Sequence, residues 1–173
     1  MDSQSVDWKY LCNTTRARIY LLWAILVFVG FVATHFYQDH NINYVWTGLS
    51  VVGLGYMARH MPMAVKQMRY ILLAWLVPIV AGIVVTGSVF YIHTSAAAQL
   101  LGHLGAFWLF VMAAGYILNG LADRPSYWYW AAASMHIVAG LACLTVDELL
   151  PGQYLIAAII GAWSMLNLWI FRS

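Results

Sequence analysis

The chain has 173 residues, of which 64% are hydrophobic and 8% charged, with a formal net charge of +2. An ordinary soluble domain carries about 25% charged residues, and a soluble protein this small cannot bury so much apolar surface. A soluble globular domain is therefore excluded, and eight basic residues spread over several segments form no nucleic-acid-binding patch. What remains is an integral membrane protein.

Residues 1–18 read as a cytoplasmic or interfacial lead. In "DWKYLCNTTRAR", Trp8 and Tyr10 suit the headgroup zone. The "NTT" at Asn13 matches a glycosylation sequon that idles on a cytoplasmic side. No cleavable signal peptide is expected, because the first apolar run is too long for an h-region and no A-x-A-type site follows it.

Six apolar runs follow: Ile19–Tyr37, Asn43–Met57, Tyr70–Ile92, Gln99–Asn119, Tyr127–Val146 and Gln153–Phe171. A helix needs about 20 apolar residues to cross the hydrocarbon, and the second run is the shortest. The connectors "QDHNIN", "ARHMPMAVKQMR", "HTSAAA", "GLADRPS" and "DELLPGQ" are too short to separate domains. Residues 19–173 are therefore read as one six-helix transmembrane domain. Pro78 should kink the third helix. "YWYW" at Tyr127 to Trp130 reads as an interfacial aromatic anchor, with an aromatic ligand box as the sharper alternative.

With six crossings, Lys9, Arg16, Arg18, Arg59, Lys66, Arg69, Arg124 and Arg172 all fall on one side, and Asp39, Asp147 and Glu148 on the other. Basic residues near helix ends stay cytoplasmic, so both termini are expected inside a bacterial or archaeal cytoplasmic membrane. Cys12 and Cys143 are then separated by nearly a bilayer thickness of ~30 Å, which excludes a disulfide between them.

Three segments read alike: "VGFVATH", "AGIVVTG" and "AGLACLT". They place Gly30 with Thr34, Gly82 with Thr86, and Gly140 before Thr145 in the three outward helices. The return helices share "GYMAR" from Gly55 and "GYILN" from Gly115. Repeats of this length indicate stacked units, so the chain reads as three hairpins, about 19–57, 70–119 and 127–171. Gly30, Thr34, Gly82, Thr86, Gly140 and Gly161 are expected to pack helices, since close backbone approach at small residues matters in lipid.

The third hairpin, "HIVAGLACLTVDELLPGQYLIAAIIGAWSMLNLWIF", has Gly140, a turn with Pro151, and Gly161 before an aliphatic finish. In this it resembles the HdeD-type acid-resistance family of short membrane hairpin repeats. The other two hairpins match only in glycine placement and lack the proline. The resemblance implies a six-helix, non-enzymatic inner-membrane protein and carries over no catalytic residues.

No Asp, Glu, Lys or Arg falls inside a predicted span. Intramembrane charges mark ion paths and proton relays, so an ion-coupled carrier, a retinal protein and an aspartyl intramembrane protease are all disfavoured. Histidine is the remaining reactive side chain. His35, His40, His93 and His103 gather toward the outer face, while His60 belongs to the basic loop. His35, His93 and His103 are candidate ligands for a divalent metal, or two of them for haem b. They are equally candidates for titration near pH 6.5, or for interfacial hydrogen bonding. No metal or haem is required by the sequence.

His136, alone in the fifth helix, is expected to hydrogen-bond a neighbour such as Ser134, Ser164 or Asn167. Asn119 and Asn167 are expected to cross-link helices or line a cytoplasmic vestibule. The reading is of a non-enzymatic protein in membrane stress or pH response, or an assembly scaffold. The expected partners are the lipid bilayer and either copies of itself or other subunits of a membrane complex. The alternatives are an oligomeric channel or facilitator for a small solute, and a haem- or metal-binding subunit.

Overall fold

The computed structural model describes residues 8–37, 39, 41–92, 94–123 and 127–172, with the side chains of 8–13 and 172 left aside. His40, His93 and Arg124, and the Cys12 side chain, lie outside that description. The described residues are helical, with no strand: α1 (Trp8–Phe36), α2 (Ile42–His60), α3 (Lys66–Tyr91), α4 (Ser95–Gly102), α5 (Leu104–Ala122), α6 (Tyr127–Thr145), a 3-10 segment (Asp147–Gly152) and α7 (Gln153–Arg172). Four segments are long and apolar enough to cross a membrane: Thr14–Phe36, Lys66–Tyr91, Leu104–Ala122 and Asp147–Phe171. The other two long helices are less apolar for visible reasons. α2 contains Asn43, Thr47, Ser50 and a terminal Arg59–His60 pair, and α6 contains Tyr127 to Trp130, Ser134 and His136.

The long helices pack as a closed ring in the order α1, α2, α3, α5, α6, α7, and back to α1, with α5 also touching α7 across it. The most extensive packing joins α1 to α7 and α5 to α6. Hairpin partners are thus not the main neighbours in the first and third hairpins. The first helix of the chain is sealed by the last. One continuous core draws on all six long helices, with Tyr20, Phe31, Met57, Ile71, Leu109 and Tyr129 among its most buried members.

Two local features differ from the sequence reading. α1 starts at Trp8, so most of the expected lead is the first turns of the helix. The run Gln99–Asn119 is not one helix. It divides at His103, which ends α4 and precedes α5 with φ −113° and ψ 22°.

The division has a side-chain cause. Thr94 caps α4 by accepting the Ala97 amide at 3.2 Å. At the break, Gln153 from the start of α7 donates Nε2 to the Gly102 carbonyl at 2.7 Å and accepts the Ala106 amide on Oε1 at 3.1 Å. Those are backbone groups a helix break would leave orphaned. A Cβ on Gly105 would lie 2.6 Å from Gln153 Cγ, so glycine is what admits the clamp. Gln153→Leu is expected to destabilise the protein by about 1–3 kcal/mol, because the buried Ala106 amide and the part-buried Gly102 carbonyl lose their partners. Thermal unfolding in detergent measures this, and an unchanged Tm would show that the clamp contributes nothing.

Candidate functional site

Four tryptophans meet inside the ring. Each belongs to a helix in which a glycine follows seven residues later: Trp23 and Gly30 in α1, Trp46 and Gly53 in α2, Trp75 and Gly82 in α3, Trp108 and Gly115 in α5. Seven residues are two turns, so both lie on one face. Because the paired helices are antiparallel, each tryptophan covers its partner's glycine. A Cβ on Gly30 would meet the Trp46 ring at 2.7 Å, and one on Gly53 the Trp23 ring at 2.5 Å. In the second pair, Gly82 would meet Trp108 at 2.8 Å and Gly115 would meet Trp75 at 2.6 Å. The two units then join through their return helices, where Trp46 and Trp108 stack with centroids 5.5 Å apart and planes 11° from parallel.

This arrangement gives the Gly–Thr recurrence a physical form. Gly30 and Gly82 are sockets for indole rings of the neighbouring helices. Thr34 serves the same ring, accepting the Trp46 indole N–H at 2.8 Å while donating to the Gly30 carbonyl at 2.8 Å. Thr86 holds the equivalent buried position, its hydroxyl unpartnered. Trp23 donates instead to Met57 Sδ at 3.1 Å.

The "GY" match between Gly55 and Gly115 is out of register. Gly53 is the counterpart of Gly115, and Gly55 has open space around it. The third hairpin keeps the glycines but not the tryptophans: Gly140 receives Phe110, while Gly161 receives Val27 and Met112. Seven residues before them stand Ala133 and Tyr154. Repetition is thus close in two hairpins and residual in the third.

The tryptophans enclose a small cavity of about 30 Å³, walled also by Phe31, Ile79 and Met165, with Ser50 as its polar member. Beside it lies a set of polar side chains. The Trp75 ring meets Tyr116 edge-on at 5.0 Å, and Tyr116 in turn meets His136 at 4.9 Å. Tyr116, Asn119 and His136 are fully buried, and Ser164 is 2% exposed. His136 Nδ1 lies 2.7 Å from the Ala132 carbonyl and Asn119 Nδ2 donates to the Gly115 carbonyl at 2.7 Å, each within its own helix. The interhelical partner expected for His136 is therefore not used. A ring N–H directed at Ala132 makes Nε2 an acceptor. That Nε2 and Asn119 Oδ1 have no hydrogen-bond partner, and the Tyr116 and Ser164 hydroxyls face each other beside them. Asn167 also bonds within its own helix, to the Trp163 carbonyl at 2.9 Å.

A charged network closes the end of the bundle where α1, α3 and α6 begin and α5 ends. Asp123, 1% exposed, accepts Arg16 Nη1 at 2.9 Å, the Tyr129 hydroxyl at 2.8 Å and Gln67 Nε2. Tyr20 and Tyr129 share a further hydroxyl–hydroxyl bond. Since Tyr129 donates to Asp123, Tyr20 is the donor in it. The sequence reading had no charge inside a span, whereas Arg16 lies within α1 and is buried. Pairing to a carboxylate is what lets a guanidinium stay there. Within "YWYW", Tyr127 and Trp130 are exposed as an anchor would be, but Tyr129 turns wholly inward to this network.

His35 is half-buried at the end of α1 with its ring edge-on to Phe36, and His103 occupies the α4–α5 break. His93 lies outside the described residues. Among the described residues no three His, Cys, Asp or Glu side chains gather as a metal site would require. Cys143 is buried and free.

Comparison of the chain with protein families, curated proteins and solved structures found no match.

Proposed function

We propose that this protein is a six-span membrane scaffold, non-enzymatic, acting as an assembly or stress-response subunit with both termini cytoplasmic. The six-span topology is supported by the outer faces of α2 and α6. α2 exposes Val45, Val51 and Val52, and α6 exposes Val138, Leu141 and Leu144. Each has 19 residues, about 28 Å at 1.5 Å per residue, close to the ~30 Å hydrocarbon. Exposed Arg18, Arg59, Lys66 and Arg69 stand toward one end, and exposed Asp39, Asp147 and Glu148 toward the other. The positive end is the cytoplasmic one.

The scaffold reading is carried by the filled centre. Interlocked tryptophans leave about 30 Å³, room for about one water molecule and not for a solute path. The stress-response part rests on the resemblance of the third hairpin to the HdeD-type family. Two measurements test the reading. Lys66→Cys should react with an impermeant maleimide only from the cytoplasmic side, and Glu148→Cys only from the opposite side. Reaction of both from one side would sink the six-span topology. In liposomes, small-solute and proton flux should equal that of protein-free vesicles, and flux above that level would replace the scaffold with a channel.

A further inference from the structure

On the outside of the ring α3 and α5 leave an open groove of about 520 Å³ between them. Tyr70, Leu73 and Val77 of α3 form one wall, and Leu118 and Leu121 of α5 the other. The small Ala74 and Ala122 also line it and leave it unfilled. Both helices are long and apolar enough to cross a membrane. From Tyr70 to Val77 the groove follows α3 for about 10 Å at 1.5 Å per residue. That fits inside one leaflet, ~15 Å or half of the ~30 Å hydrocarbon.

The mouth of this groove is basic. Lys66 lies one turn before Tyr70 on the same face of α3, and its Nζ stands 5.6 Å from the centre of the Tyr70 ring. Arg69 is exposed beside it. Neither cation has an ion-pair partner among the described residues. Asp123, just past the end of α5, is buried and holds Arg16, Tyr129 and Gln67 instead. The exposed Asp39, Asp147 and Glu148 stand toward the opposite end. Two unpaired positive charges above an apolar trough are complementary to a negative headgroup on an apolar chain. Basic sites between membrane helices on the cytoplasmic side select anionic lipids in this way. A zwitterionic phospholipid offers the same chains, but its own ammonium offsets its phosphate.

We propose that this groove seats an acyl chain of an anionic phospholipid, with the lipid's phosphate held by Lys66 and Arg69. The proposal rests on the membrane reading of α3 and α5, and it deepens that reading by naming the lipid this face selects. It does not depend on α2 and α6 spanning.

The test is photolabelling of the whole protein in phosphatidylcholine nanodiscs. Trace phosphatidylglycerol and phosphatidylcholine probes carry the same acyl-chain diazirine. On the peptides of Leu73, Val77, Leu118 and Leu121 the phosphatidylglycerol probe should label about 5- to 30-fold more strongly, the worth of one to two basic contacts. On Val138 and Leu141 of α6 the two probes should label alike. Unlabelled phosphatidylglycerol should compete, and glycerol phosphate should not. Lys66→Gln with Arg69→Gln should bring the groove ratio to within about 2-fold of one. Its thermal midpoint in phosphatidylcholine should not move, because both residues are exposed and unpaired. Val77→Trp, at a position 59% exposed, should narrow the groove and lower labelling of Leu118 and Leu121 by both probes. It supplies the second reading if the double variant loses stability.

A groove ratio near one in the unaltered protein overturns the site, and so does a preference that survives the double substitution. Competition by glycerol phosphate as strong as by the lipid overturns the lipid in favour of a free anion. Selective labelling of the groove with none on α2 or α6 sinks the six-span topology and supports this proposal. No labelling of any outer face overturns the membrane reading and this proposal with it.

Discussion

Asp123→Ala is expected to destabilise the protein by about 3–5 kcal/mol, the cost of leaving a buried charge without its partner. The substitution strands the Arg16 guanidinium, 8% exposed, and removes the acceptor for Tyr129 and Gln67. Much of that cost is the penalty on Arg16, so the double substitution Arg16→Met with Asp123→Leu should cost less than Asp123→Ala alone. Asp123→Asn keeps an acceptor for Tyr129 but loses the ion pair, and belongs between them. Thermal unfolding of the four proteins in one detergent gives the comparison. Because the pair is buried, its effect should change little between low and high salt. A double variant less stable than Asp123→Ala would mean that the network contributes net stability beyond cancelling its own desolvation.

The second large effect belongs to the tryptophan sockets. Trp46→Ala removes the ring covering Gly30, its stack on Trp108, its edge contact with Phe31 at 4.7 Å and its bond to Thr34. A large-to-small change of this kind costs about 3–5 kcal/mol when the cavity cannot collapse. Gly30→Leu fails for the opposite reason, since its first added carbon would already sit 2.7 Å from the ring; overpacking costs about 1–3 kcal/mol. Combined, the two changes exchange volume across one contact. The double variant should therefore be more stable than the sum of the single losses predicts, by at least about 1 kcal/mol of coupling. Simple additivity would mean that ring and socket do not depend on each other. The same cycle on Trp75 and Gly115 should behave alike, as a repeat requires, whereas Gly55→Leu should be nearly neutral because nothing lies over that glycine.

Much of the fold was legible from composition and run length. The charge deficit gave the membrane class, and the spacing of apolar runs gave the positions of the six long helices. The glycines were recognised as packing positions, yet what packs on them was not. Trp–x6–Gly recurs in four helices, and small-residue spacing alone leaves out the large partner of each pair. That spacing also supplies the register the "GY" match missed.

Other features had no local signal. Arg16 and Asp123 are 107 positions apart, and nothing near either marks it as half of a buried pair. Gln153 looks like an ordinary polar residue in an outer turn; only the approach of α7 to Gly105 makes it the clamp that divides α4 from α5. His136 resembles a residue seeking a partner on another helix, but its own Ala132 carbonyl takes the ring N–H.

By itself the sequence determined the helical class, the helix positions and the charge segregation, because each depends on local composition and on the length of an apolar run. The tertiary structure alone decided the closure of α1 on α7, the reciprocal seating of tryptophans on glycines, the buried Arg16–Asp123 pair and the buried polar cluster of Tyr116, Asn119, His136 and Ser164. Those depend on which faces of distant helices meet, and ring closure brings together residues that no local pattern relates.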